Sequence, residues 1–177
     1  MSKAVMRLLA AGLLSLATIG SALAHATLET TEAPQDSSYK GVIRIGHGCE
    51  GKPTQAVRVR IPEGVIVAKP MPKAGWQLAT TKGAYAKSYD YYGTPVSEGV
   101  TEIAWTGGDL PDDWYDEFVF RARLTDFPVG SIVYFPVVQE CADGAVARWI
   151  EIPEAGKSAD DYEEPAPGVT ITAGTGH

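Results

Sequence analysis

Glu117-Phe118-Val119-Phe120-Arg121-Ala122-Arg123-Leu124 is the stretch whose reading decides the fold. Phe118, Phe120, Ala122 and Leu124 recur at every second residue, with Glu117, Arg121 and Arg123 between them. A period of two belongs to a strand with one face in a core. Residues 56–61 repeat the pattern: Val57, Val59 and Ile61 share one face, Arg58 and Arg60 the other, and Pro62 ends the run.

Working outward, residues 39–45, 65–69, 76–80, 84–92, 101–105, 131–140, 147–152 and 169–172 read as further strands. Gly46-His47-Gly48, Pro70-Met71-Pro72, Gly107-Gly108 and Ala142-Asp143-Gly144 separate them as turns. Pro136 is the misfit in its run, because proline cannot donate to a ladder and marks an edge or a bulge. Residues 153–168 read as an acidic, proline-containing connector before the last short strand. With no convincing amphipathic helix and no repeats, the expected fold is all-β, an immunoglobulin-like β-sandwich of about nine strands.

The first 24 residues read as a signal peptide. Lys3 and Arg7 precede an apolar run from Leu8 to Ile19, and Ala22-Leu23-Ala24 supplies the small-residue cleavage site. The apolar run is shorter than the roughly 20 residues needed to span a bilayer, so it is not read as an anchor. Cleavage leaves a domain of 153 residues, 25–177, that begins with His25. Losing Lys3 and Arg7 takes the net charge from −7 to −9. An acidic domain with no basic stripe argues against nucleic acid or an anionic membrane as partner and suits cations. An exported chain also meets an oxidising compartment, so Cys49 and Cys141 are expected to pair. Closing that loop would stabilise the fold by roughly 4 kcal/mol on the chain-entropy model.

A mature chain that starts with His25 offers an α-amine and an imidazole Nδ1 on one residue. Their ordinary pKa values, about 7.7 and 6.5, let a metal displace few protons near neutral pH. Nitrogen donors in a plane suit Cu(II). A third donor is needed, and Glu117 is a candidate because it begins a strand on the side opposite Phe118 and Phe120; a solvated strand-edge glutamate is the simpler reading of the same position. Asp116 is adjacent. Trp149 reads either as a core ring or as a ring that shields a metal. Of the other histidines, His47 lies two residues before a paired cysteine, and His177 ends a Gly-Thr-Gly tail.

His25-Ala26-Thr27-Leu28, His47-Gly48-Cys49-Glu50-Gly51, Ile61-Pro62-Glu63-Gly64, Gly75-Trp76, Trp105-Thr106-Gly107-Gly108, Asp116-Glu117-Phe118, Tyr134-Phe135-Pro136-Val137-Val138-Gln139 and Arg148-Trp149-Ile150-Glu151-Ile152-Pro153 run in order along the chain. Together they resemble the YcnI-like copper-binding domain family. The resemblance implies a β-sandwich that binds Cu(II) by a single-histidine brace: the amine and imidazole of His25 with Glu117 as ligands, and Trp149 near the metal. It also implies a role in copper homeostasis, as a chaperone or buffer associated with periplasmic copper chaperones and copper-transport membrane proteins. Many members carry a C-terminal membrane helix; no second apolar run is found here, so the domain is expected free in the periplasm. No nucleophile pair or phosphate loop is read in the chain, so it is not expected to be an enzyme. Two rival readings are a copper-dependent oxidative enzyme using His25 with His47, and a metal-free structural sandwich.

Overall fold

Twelve strands form from these runs in a computed structural model that describes residues 25–174. The expected signal peptide and His177 lie outside the described residues. In chain order the strands are β1 (Thr27–Leu28), β2 (Glu32–Pro34), β3 (Ser38–Ile45), β4 (Thr54–Arg60), β5 (Val65–Pro70), β6 (Gln77–Tyr91), β7 (Thr94–Leu110), β8 (Asp116–Leu124), β9 (Ile132–Tyr134), β10 (Val137–Cys141), β11 (Val146–Trp149) and β12 (Gly168–Thr172). They make a four-stranded sheet in the order β1-β3-β8-β5, a five-stranded sheet β11-β10-β4-β7-β6, and a three-stranded sheet β2-β12-β9. The fold is an all-β, immunoglobulin-like sandwich.

The alternation in β8 does what its period requires. Phe118, Phe120 and Leu124 are wholly buried, with Ala122 beside them. Val57 and Val59 of β4 and Trp105 of β7 enter the same core from the five-stranded sheet. Trp105 and Phe118 meet across the sheets edge to face at 5.5 Å, a geometry that aromatic quadrupoles favour.

Three features differ from the sequence reading. Twelve strands replace nine, in part because β1 and β2 are too short to show a period and Pro136 divides the run 131–140. The proline cannot continue the ladder, so β9 pairs with β12 while β10 crosses into the five-stranded sheet between β11 and β4. Secondly, residues 76–80 and 84–92 form one long strand, β6, paired with β7 through register shifts at Thr81/Lys82 and Ala84/Tyr89. Tyr92 and Gly93, both at positive φ, close that hairpin, as a two-residue turn of right-handed twist demands. Thirdly, Gly107-Gly108 does not turn the chain but lies inside β7. Gly108 is there because of Trp76: a Cβ would fall 2.2 Å from the indole ring.

Cys49 and Cys141 form a disulfide with their Cα atoms 5.9 Å apart. It ties the turn after β3 to the end of β10, 92 residues later in sequence. Converting both cysteines to alanine should lower the unfolding free energy by about 2–5 kcal/mol. Chemical denaturation of the oxidised parent and the double variant measures this directly.

Candidate metal centre

The site is assembled where two sheet edges meet. β1 is the edge of the four-stranded sheet and β11 the edge of the five-stranded one. β1 pairs with β3 through Thr27↔Arg44 and Leu28↔Ile43, which fixes the backbone two residues beyond His25. Trp149 ends β11 and is buried. The His25 and Trp149 rings meet edge to face, with centroids 5.5 Å apart and planes at 70°. His25 Nε2 is buried and has no hydrogen-bond partner among the described residues.

Trp149 is fixed from behind. Its Nε1 donates to Gln139 Oε1 at 3.3 Å. The Gln139 Nε2 donates to the His47 carbonyl at 2.7 Å and to Thr54 Oγ1 at 2.8 Å. His47 Nδ1 lies against the Gly48 carbonyl, and Gly48 N donates to Asp112 Oδ1 at 2.9 Å. Gly48 has no room for a side chain, since a Cβ would fall 1.8 Å from the Lys52 carbonyl oxygen. The His47-Gly48-Cys49 turn is therefore a tightly folded support for the Trp149 wall.

Glu117 stands on the outward face of β8, in the row Thr27↔Arg44↔Glu117 that crosses three strands. Its carboxylate receives a hydrogen bond from the Tyr115 hydroxyl and faces Arg44 Nε at 3.5 Å. Arg44 also reaches Glu29 at 3.3 Å. Burial, and after it the bond to Glu117, pushes the Tyr115 hydroxyl above its ordinary pKa, while Arg44 acts in the opposite direction. Asp116 is engaged elsewhere: Lys73 Nζ sits 2.5 Å from its carboxylate, and its Oδ1 also accepts from Glu117 N at 2.8 Å.

The structure thus brings His25 and Trp149 into contact and sets Glu117 beside Arg44, in the cross-strand row that Thr27 begins. Among the described residues, no three His, Cys, Asp or Glu side chains gather as a metal cluster. The sequence reading missed Arg44, Tyr115 and Gln139. Gln139 had a signal: it shares the inward parity of Val137 and Cys141. Arg44 reaches Glu117 only through strand register, which local pattern does not carry. A cavity of about 550 Å³ opens beside His25, with Glu32, Tyr134, Lys157, Pro165 and Thr170 in its wall.

Among the described residues, no helix is long and apolar enough to cross a membrane. A family model described as a domain of unknown function (DUF1775) matches residues 25–171. Among solved structures, the crystal structure of an uncharacterized protein from Nocardia farcinica, described as revealing an immunoglobulin-like fold, is similar with a TM-score of 0.61 and 25% sequence identity. The similarity covers 84% of this chain and 99% of that one. No curated protein matches.

The Arg44–Glu117 pair is slightly over a third exposed on both sides, so its net contribution to folding should be small. Glu117→Gln should change the unfolding free energy by less than about 1 kcal/mol. Equilibrium denaturation checks this, and a loss of several kcal/mol would mean that the carboxylate is there for the fold.

Proposed function

Because the chain belongs to the DUF1775 family, that of the YcnI-like proteins, we propose that it is an exported Cu(II)-binding protein that buffers copper or hands it on in the periplasm. Residues 1–24 are the leader, and their removal turns His25 into the first residue. The observation that carries this reading is the edge-to-face contact of the His25 ring with Trp149, the two residues that the family resemblance puts together at a metal.

The donor set fits the ion. The α-amine and Nδ1 of His25 chelate from one residue, and Glu117 supplies an oxygen, a combination suited to tetragonal Cu(II). Binding draws Glu117 away from Arg44, which keeps Glu29 as a counter-charge. Trp149 covers one edge of the imidazole. With only His25 and Glu117 as protein ligands, a coordination position is left for a donor from the acceptor, which helps release. Copper is cargo here, and the role is binding and transfer rather than catalysis. Periplasmic copper chaperones and copper-transport membrane proteins are the partners this chemistry serves.

The mature chain beginning at His25 should take up one Cu(II) in a tight axial site, read by titration and paramagnetic resonance. Placing one glycine ahead of His25 moves the amine and should weaken that site by at least about tenfold, given that even outer-shell losses cost 10–100-fold. Equal binding by the extended chain would end the brace reading.

A further inference from the structure

Gln139 is a polar side chain in an otherwise apolar position, only 1% exposed and flanked on its face by Val137 and Cys141. An unsatisfied amide would be costly there, whereas a satisfied one is rigid. Its three bonds fix its orientation. The His47 carbonyl can only accept and the Trp149 indole can only donate, so the NH2 end must face His47 and the oxygen must face Trp149. Thr54 Oγ1 takes the second amide hydrogen.

We propose that Gln139 is a positioning residue for His25, acting through the Trp149 indole. The frame behind it is short and closed. Gln139 is two residues before Cys141, and the His47 carbonyl it holds is two residues before Cys49, the disulfide partner. The amide therefore anchors the indole N–H to the most constrained part of the chain. The indole, so fixed, presents its ring to His25 at 5.5 Å. Leucine or methionine would fill the same space but leave the indole free to turn. The consequence for copper rests on the function proposed above; the consequence for the His25 ring does not.

The test uses the mature chain without metal and then with Cu(II). In the metal-free protein, the motion of the His25 ring is read by 13C relaxation. Gln139→Met should loosen that ring, and Trp149→Phe, which keeps an aromatic ring but deletes the N–H, should loosen it similarly. Adding Gln139→Met to Trp149→Phe should do nothing more. Thr54→Val removes a bond from the same amide without touching the indole and should leave the ring as in the parent. With copper, Gln139→Met should weaken binding about tenfold and alter the paramagnetic resonance spectrum. A folded Gln139→Met with an unmoved His25 ring overturns the proposal, as does a Thr54→Val effect of the same size. If Gln139→Met does not fold, an unchanged ring in Trp149→Phe overturns it equally. Absence of Cu(II) binding by the parent would count against the proposed function alone, since the ring measurement stands without it.

Discussion

The candidate site depends on one buried amide. Gln139 joins β10, the His47 turn, Thr54 at the start of β4 and the indole at the end of β11. Without its oxygen, Trp149 would bury an N–H with no acceptor, and the wall against which His25 rests would have no fixed direction. The disulfide beside it holds the same two segments covalently. A rigid support of this kind matters most where the ligand-bearing residue lies at a chain terminus, because terminal residues are otherwise poorly ordered.

The site lies on the seam between two sheets, which explains how few residues it uses. Neither edge alone could build it: β1 brings the histidine, β11 the tryptophan, and β8 the carboxylate, one strand beyond β3. The two edge strands at the site, β1 and β11, are short, a common means of limiting unpaired backbone groups. Arg44 and Tyr115 engage the Glu117 carboxylate.

Much of this was legible in the sequence, where side-chain period is strong. The alternation of Phe118, Phe120, Ala122 and Leu124 located a core strand, and Pro136 stood out as an edge or a bulge where the structure in fact passes the chain from one sheet to another. The cysteine pair was expected from the reading of the leader as a signal peptide. What failed to show was non-local. Gly107-Gly108 reads as a turn until Trp76 is seen lying where a side chain would be, and the 15-residue β6 is hidden by its bulges. His25 and Glu117 are candidate ligands from the sequence, but the contacts of Glu117 with Arg44 and Tyr115 come from register and folding. Gln139 could have been found by parity, as a polar residue on the inward side of an apolar strand.

The central claim is that copper sits on a single histidine that contributes both of its own kinds of nitrogen. Pulsed paramagnetic resonance of the Cu(II)-loaded mature chain, with histidine labelled throughout in 15N, tests it most directly. One directly bound imidazole nitrogen, one directly bound labelled amine nitrogen and the remote nitrogen of a single imidazole are the predicted result. Signals from two imidazoles, or the absence of the labelled amine, would contradict it.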